Sequence, residues 1–210
     1  MKQKALFISF EGCEGSGKST QSKFLYNWLL SKNLKVLLTR EPGGTDSAEA
    51  IRQILLNKHI KFDDISQLLL HFVSRNEHVN DVIRPHLEQN YIVICDRYID
   101  STMAYQGYGS GINLSLIKDL HKSIISNLIP DLTFVLNVSL EQCLRRIQKK
   151  QNTEDRYENL GQEFHESVAK GFLEIAKENP HRCVLVDASQ SIETTELLIQ
   201  EKVFKILSTQ

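Results

Sequence analysis

Five short runs of apolar, β-branched and aromatic residues recur along the chain, and each is near-continuous rather than alternating. This pattern is typical of strands that are buried on both faces of a parallel sheet. The predicted strands are Ala5–Phe10, Lys35–Thr39, Tyr91–Cys95, Leu132–Val138 and Arg182–Val186.

The stretches between these runs place apolar residues at helical spacing. Phe24 and Trp28 lie four positions apart, as do Leu25 and Leu29, so all four fall on one side of a helix. The predicted helices are Gly17–Leu30, Asp64–Glu88, Asn113–Leu128, Ser139–Lys149, Phe164–Glu178 and Ile192–Leu207. Alternating strands and helices predict a three-layer α/β fold with a five-stranded parallel sheet flanked by helices.

The length of 210 residues suits one compact domain, and no repeat or linker divides the chain. We therefore expect a single domain over residues 1–210. The segment 145–158 is highly charged, which is usual for a solvated helix end or loop. A flexible flap over bound phosphates is the alternative interpretation of that segment.

Composition excludes several classes of protein. The formal net charge is −1, from 25 basic and 26 acidic residues, so no overall basic surface for nucleic acid is expected. The apolar run near the N-terminus is too short for a signal peptide or a membrane span. The four cysteines lack CxxC spacing, which argues against a zinc site or a disulfide framework. These features favour a reduced, cytoplasmic protein without a membrane or nucleic-acid partner.

One motif indicates phosphate binding. Residues 12–19 read GCEGSGKS, which matches G-x-x-x-x-G-K-[ST] between a predicted strand and a predicted helix. Backbone N–H groups of such a loop surround phosphate oxygens, and the helix N-terminus adds a positive dipole. Lys18 is expected at the β- and γ-phosphates of ATP, and Ser19 at Mg²⁺. The predicted ATP-binding residues are Gly12, Cys13, Glu14, Gly15, Ser16, Gly17, Lys18, Ser19 and Thr20.

A second pair of polar residues ends the third predicted strand. Asp96 and Arg97 lie at its carboxyl end, where open α/β sheets bind ligands. The carboxylate of Asp96 suits the Mg²⁺ shell, and the Arg97 guanidinium suits a second phosphate. A helix N-cap with a surface salt bridge is the alternative interpretation of this pair.

Taken together with residues 12–19, three further segments resemble the thymidylate kinase family, in the order found in that family. They read TREPGGT at 39–45, LLLHFVSRNEHVNDVIRPHL at 68–87 and DRYIDSTMAYQG at 96–107. The resemblance covers nearly the whole chain. It implies a P-loop NTPase fold and transfer of the ATP γ-phosphoryl group to dTMP, which gives dTDP and ADP for dTTP synthesis. It also implies Mg²⁺ as cofactor and a homodimer formed by helix packing.

The resemblance also implies roles for individual residues. Arg97 corresponds to the arginine that grips the dTMP phosphate, and Arg75 to the one that reads thymine O4. Tyr105 corresponds to the aromatic that disfavours a ribose 2′-hydroxyl, and Thr102 to a small polar residue near thymine N3. The substrate-binding set is Glu14, Arg40, Glu41, His71, Phe72, Arg75, Arg97, Ser101, Thr102 and Tyr105.

Some of these roles have competing interpretations. Arg75 could instead be an exposed helical residue paired with Glu77 or Asp81. Arg40 and Glu41 are expected to bracket the two phosphates, with Arg52 as a possible helper or a plain surface charge.

The chain departs from the family at the base-binding position. The family usually stacks a Phe on thymine four residues before the helix arginine, and this chain has His71 there, with Phe72 next to it. Either the His71 ring stacks on the base, or Phe72 replaces it through a one-residue shift. His71 could instead face solvent, and Phe72 could instead be part of the core. An imidazole offers less area than Phe, which predicts weaker base binding if His71 stacks.

The second departure from the family concerns which residue supplies positive charge at the transferring phosphoryl group. The loop contains Glu14-Gly15 and no arginine, so it resembles the bacterial type, in which the flap supplies the arginine. Glu14 is then expected near the sugar 3′-hydroxyl. Arg156 is the best candidate for the flap arginine, with Lys149 or Lys150 assisting. The predicted catalytic residues are Lys18, Arg97 and Arg156, and the predicted metal ligands are Ser19 and Asp96.

Three other functions compete with this interpretation. Another nucleoside or nucleotide kinase would share the phosphate loop and differ in the base pocket. A small GTPase would need an Asn-Lys-x-Asp signature after a late strand, where this chain has Leu136-Asn137-Val138-Ser139. A nucleic-acid-binding protein with a vestigial loop conflicts with the balanced charge.

Overall fold

The computed structural model describes residues 3–148 and 161–208. Five strands form one parallel sheet in the order β2-β3-β1-β4-β5. Their bounds are β1 Leu6–Glu11, β2 Val36–Arg40, β3 Ile92–Asp96, β4 Leu132–Asn137 and β5 Cys183–Asp187. The predicted five-stranded parallel sheet is confirmed, although four of the five strands begin one residue later than the pattern suggested.

Helices cover both faces of this sheet. Alternate residues of the inner strands supply the two cores. Phe7 and Val93 pack into the cluster that contains Phe72, while Ile8 and Ile94 pack into the other one. The helices are α1 Lys18–Ser31, α2 Asp46–Leu56, α3 Asp64–His78, α4 Arg84–Glu88, α5 Ile99–Thr102, α6 Leu114–Ile125, α7 Leu140–Gln148, α8 Gln162–Glu178 and α9 Ile192–Ser208. Burial on both faces explains why the strands read as near-continuous apolar runs.

The predicted helix Asp64–Glu88 is wrong in one respect. It is divided into α3 and α4 by a wider π-helical turn, Val79–Ile83. Pro85 follows this turn near the start of α4 and has no N–H to donate into the preceding turn. The regular apolar spacing of the sequence did not reveal this widening.

Two helical segments were not predicted. In α2, Thr45 caps the N-terminus by accepting a hydrogen bond from the Ala48 N–H at 3.1 Å. The short helix α5 continues into a second π-helical turn, Met103–Gly109. Both segments follow strand ends, so they lie at the edge of the sheet where the predicted ligand residues occur.

The strand order places the predicted site residues side by side. In the sheet register Asp96 of β3 is level with Phe10 of β1 on one side and Arg40 of β2 on the other. The carboxyl ends of these three adjacent strands therefore bring the loop after β1, Glu41 and Arg97 to one edge. Within the described residues, no helix is both long and apolar enough to cross a membrane.

Candidate active site

The loop at residues 12–17 connects β1 to α1, and its three glycines have positive φ angles that other residues rarely adopt. Gly12 has φ +137°, and a Cβ there would lie 2.7 Å from the carbonyl oxygen of Leu136. Gly17, at the N-cap of α1, has φ +105°. These positions let the loop curl beneath an anion.

Lys18 begins α1 and points back into this loop. Its Nζ donates a hydrogen bond to the Cys13 carbonyl oxygen at 2.7 Å, and the side chain is buried. Burial, reinforced by the charge of Arg97, lowers the pKa of Lys18. A bound phosphate would offer this ammonium group a stronger, charged acceptor than the loop carbonyl.

The two predicted metal ligands meet although they are 77 positions apart. The hydroxyl of Ser19, in the first turn of α1, donates a hydrogen bond to the carboxylate of Asp96 at the end of β3. A hydroxyl and a carboxylate are oxygen ligands of the kind that Mg²⁺ prefers. Their contact is the observation that fits a Mg²⁺ site at this point.

Arg97 follows Asp96 in an unusual backbone conformation, with φ +70°. Its N–H donates to the Phe10 carbonyl oxygen at 2.9 Å, which ties it to the end of β1. Its guanidinium donates from Nη1 to the Gly12 carbonyl oxygen at 3.0 Å and from Nη2 to the carboxylate of Glu14. The interpretation of Asp96 and Arg97 as an N-cap with a surface salt bridge is therefore wrong.

Glu14 is ionised in this arrangement. Burial alone would raise its pKa, but the charges of Arg97 and Lys18 outweigh that effect and lower the pKa of Glu14 to about 2. Tyr105 accepts a further hydrogen bond from Arg97 Nη2, at 3.3 Å. The loop and the third strand thus meet in one cluster of charges.

Arg75 of α3 is buried rather than exposed, so its interpretation as a surface residue paired with Glu77 or Asp81 is wrong. Its side chain is 2% exposed, and Nε donates to Glu41 Oε2 at 2.7 Å. Nη2 donates to Thr102 Oγ1 at 2.9 Å. Nη1 is buried and has no hydrogen-bond partner among the described residues, so it can donate to a bound ligand.

Glu41 is likewise buried, directly after β2. Its other carboxylate oxygen, Oε1, lies 3.0 Å from His78 Nδ1. Burial would raise the pKa of Glu41, but Arg75 and the His78 contact lower it. In this structure the Glu41 carboxylate therefore fixes the Arg75 guanidinium.

His71 and Phe72 have different surroundings. Phe72 is 1% exposed and is part of a hydrophobic core, whereas His71 lines the cavity described below. Burial and the nearby charge of Arg75 lower the pKa of His71 to about 3. The imidazole at the cavity is thus neutral near neutral pH.

Arg40 and Arg52 also reach the cavity. Arg40 is 55% exposed and pairs with Glu49 at 3.0 Å, so its positive charge lies at the rim. Arg52 donates from Nη1 to the Pro42 carbonyl oxygen at 2.7 Å. Arg52 is therefore anchored to the loop after β2.

These groups surround one cavity of about 560 Å³ at the carboxyl edge of the sheet. Most of the predicted site residues line it, including Glu14, Gly15, Ser16, Gly17, Lys18, Ser19, Thr20, Arg40, Glu41, His71, Arg75, Asp96, Arg97, Ser101, Thr102 and Tyr105. Gly12, Cys13 and Phe72 are not among its lining residues. Arg156, Lys149 and Lys150 lie outside the described residues.

The sequence analysis missed a second group of lining residues, of which Arg146 is the most informative. This α7 residue donates from Nη1 to the carbonyl oxygens of Gly15 and Ser16 at 3.4 and 3.3 Å. Its Nη2 donates to Ala188, just beyond β5, at 3.0 Å. The only sequence signal was its place in a charged segment, which did not distinguish it from its neighbours.

These features define a P-loop phosphotransferase. The phosphate-binding loop is accompanied by a hydroxyl and a carboxylate suited to a metal, and Arg97 follows the neighbouring strand β3. The thymidylate kinase family model matches residues 10–199. A thymidylate kinase of Wolbachia pipientis is 48% identical over 86% of this chain and 90% of its own length. The chain belongs to the thymidylate kinase family.

Further relatives cover nearly the whole chain. A thymidylate kinase of Ehrlichia chaffeensis is 43% identical over 96% of this chain and 98% of its own length. The crystal structure of a thymidylate kinase from the same organism matches with a TM-score of 0.77 and 40% identity. That match covers 95% of this chain and 99% of the other. The similarity therefore covers both the phosphate loop and the part of the cavity around Arg75.

Proposed function

We propose that this protein transfers the γ-phosphoryl group of Mg·ATP to dTMP, forming dTDP and ADP for dTTP synthesis. One observation supports this most directly: the phosphate loop and the Arg75–His71 wall line the same cavity. The loop suits a donor phosphate, and the wall suits a flat base. Arg97 lies between them and suits the phosphate of the acceptor.

For the donor, the loop N–H groups and the Lys18 ammonium group hold the β- and γ-phosphates. Ser19 and Asp96 would hold Mg²⁺, which when bound neutralises charge on those phosphates. Arg146, Ala188 and Gln190 also line the cavity, and Arg146 contacts the loop. The nucleoside part of ATP lies beside these residues in our proposal.

For the acceptor, the base lies against His71 and accepts a hydrogen bond from Arg75 Nη1 at thymine O4. Thr102 lies near N3, and Tyr105 crowds the position of a ribose 2′-hydroxyl. Arg97 grips the monophosphate, and Glu14 accepts from the sugar 3′-hydroxyl. Arg40 and Arg52 add positive charge at the phosphate end of the cavity.

The chemistry then depends on position and charge. The acceptor oxygen belongs to a phosphate that is already ionised at neutral pH, so no general base is needed. Lys18 and Arg97 hold the two nucleotides in line and stabilise charge on the equatorial oxygens. Arg156, Lys149 and Lys150 belong to the proposed flap, which would exclude water from the transferring group.

We also propose a homodimer. The helix α3 exposes Ile65, Leu69 and Val73, at 46%, 46% and 50%, and their spacing of four residues aligns them on one face. A stripe of large apolar side chains that faces solvent is typical of an interaction surface. A second copy of the chain would bury this stripe by helix packing. Sedimentation analysis of the protein and of Leu69→Glu tests this, since a monomeric parent protein would contradict it.

The four cysteines are all free in the structure. Unpaired thiols are usual in a reducing compartment, which supports our proposal of a cytoplasmic location.

An acceptor panel tests the proposed activity. The protein is incubated with Mg·ATP and, separately, dTMP, dUMP, UMP and CMP, while ADP release is followed. We expect rapid release with dTMP, weak release with dUMP, and none with Lys18→Ala. Release with UMP or CMP equal to that with dTMP would assign a different acceptor. Release that no acceptor stimulates would contradict a kinase activity.

A further inference from the structure

A buried acid lies beneath the proposed phosphate-binding arginine. Glu11 is the last residue of β1, directly before the phosphate loop, and it is 0% exposed. No part of the proposed mechanism uses it. A carboxyl group at such a position needs hydrogen-bond partners, because burying it unpaired is costly.

Both carboxyl oxygens of Glu11 contact the segment that follows β3. Oε1 accepts a hydrogen bond from the Tyr98 backbone N–H at 2.8 Å. Oε2 accepts one from the Ser101 hydroxyl at 2.6 Å. One side chain of β1 thus holds both the backbone directly after Arg97 and the first helical turn beyond it.

The second contact continues to the arginine itself. Arg97 Nη1 donates to Ser101 Oγ at 3.1 Å and to the Gly12 carbonyl oxygen at 3.0 Å. These two contacts account for both hydrogens of Nη1. Nη2 donates to Glu14 and Tyr105, which both line the cavity, so this is the side of the guanidinium that would face a bound phosphate.

The first contact concerns the Arg97 backbone. A φ of +70° is uncommon for a residue with a side chain and persists only where neighbouring contacts hold it. The Arg97 N–H is held by Phe10 and the next N–H, that of Tyr98, by Glu11. Glu11 thus secures the peptide on the C-terminal side of the strained residue.

We propose that Glu11 is a positioning residue that aims the Arg97 guanidinium at the acceptor phosphate through Ser101 and the Tyr98 N–H. The inference rests on the role proposed for Arg97 above. It depends on hydrogen bonds rather than on a negative charge at Glu11.

The relay is compatible with a protonated carboxyl group. Burial, with Asp100 adding to it, raises the pKa of Glu11 to about 8. A protonated Glu11 still accepts from the Tyr98 N–H through one oxygen and donates to Ser101 Oγ through the other. Glutamine has the same two capacities, so it can replace the acid, whereas methionine of similar length cannot.

The test compares how tightly dTMP and thymidine bind, measured by calorimetry on the full-length protein and its variants. The two ligands differ only in the phosphate, so the Kd of thymidine divided by the Kd of dTMP reports how tightly that group is held. We expect Glu11→Met to reduce this ratio about tenfold, the size of a lost hydrogen bond to a charged group. Glu11→Gln should keep the ratio within about threefold of the parent.

Asp100→Asn is the matched control. Asp100 is also buried and close to Glu11, but its hydrogen bonds go to Arg182, at 2.7 and 2.8 Å. We expect it to lower thermal stability without changing the ratio. An unchanged ratio in a folded Glu11→Met protein, or an equal loss in Glu11→Gln, would overturn the proposal.

Two further variants keep the outcome decisive. If Glu11→Met does not fold, Ser101→Ala breaks the relay at its middle, and an unchanged ratio there would equally overturn it. Arg97→Ala tests the underlying assignment. If Arg97→Ala leaves the ratio unchanged, Arg97 does not bind the phosphate; if it alone reduces the ratio, Arg97 binds the phosphate without help from Glu11.

Discussion

The Nε of Arg75 donates a hydrogen bond to Glu41 Oε2 at 2.7 Å, and both side chains are almost completely buried. The pair joins α3 to the end of β2 across 34 positions of sequence. A buried arginine fixed on one side by a carboxylate presents its remaining N–H groups in a defined direction. Arg75 also lines the cavity, and we propose that its Nη1 meets the base there.

Breaking this pair should affect both stability and substrate binding. In Glu41→Gln the Arg75 charge stays buried without its counter-ion, so we expect the free energy of unfolding to fall by about 3 kcal/mol. The Kd of dTMP should rise about tenfold as Arg75 loses its anchor. Urea unfolding and calorimetry measure the two effects. Glu49→Gln, at the exposed pair with Arg40, should cost below about 1 kcal/mol.

The neighbouring positions His71 and Phe72 should respond in opposite ways. His71→Ala removes a flat ring from the cavity wall, so the Kd of dTMP should rise about threefold to tenfold with little change in stability. His71→Phe should tighten binding, because its ring covers more of the base. Phe72→Leu should lower the free energy of unfolding by about 1 kcal/mol and leave the Kd unchanged. The reverse pattern would assign stacking to Phe72.

Metal dependence should follow the Ser19–Asp96 contact. In Ser19→Ala the metal loses a hydroxyl ligand, so half-maximal activity should need about tenfold more Mg²⁺. Activity measured over a range of Mg²⁺ at saturating ATP gives this value. Ser31→Ala, at the exposed end of the same helix, is the control. Excess chelator should abolish activity in every variant while the circular dichroism spectrum stays constant.

Acid should destabilise the fold through His121. This residue is buried at 2% exposure, and burial, followed by the charge of Arg75, lowers its pKa from 6.5 to about 4. Between these values the unfolded chain binds a proton that the native protein does not, so stability falls as pH falls. From pH 6.5 to 5 the loss should be about 2 kcal/mol from this residue. Urea unfolding at both pH values should give a smaller pH dependence for His121→Gln.

The flap role proposed for Arg156, in the charged segment 145–158, has its own test. Arg156→Ala should reduce kcat by about 10³-fold, as expected for an arginine that stabilises the transferring phosphoryl group, and raise the ATP KM far less. Steady-state kinetics separates the two constants. Arg145→Ala is a suitable control, because Arg145 is 70% exposed and pairs with Glu141 on α7. Equal effects on kcat and KM would contradict the flap assignment.

The sequence by itself determined the layers of the fold and the phosphate loop. Near-continuous apolar runs predict strands that are covered on both faces, and the sheet has that arrangement with β1 at its centre. The motif at residues 12–19 was also recognised without tertiary information, because its glycines permit backbone conformations that are disfavoured for other residues. Strands and the phosphate loop each depend on a few residues that are close in sequence, so they can be predicted from short segments of the chain.

Only the tertiary structure decided which polar groups meet. From the sequence, Arg75 could be interpreted as a surface residue, but the packing of α3 buries it against Glu41. The sequence also left His71 and Phe72 as alternatives, and the structure separates them because Phe72 lies on the side of α3 that faces the core. Arg146 reached the loop because α7 begins after β4, the strand next to β1. The physical reason is that burial and charge pairing depend on strand order and helix packing, which join positions tens of residues apart.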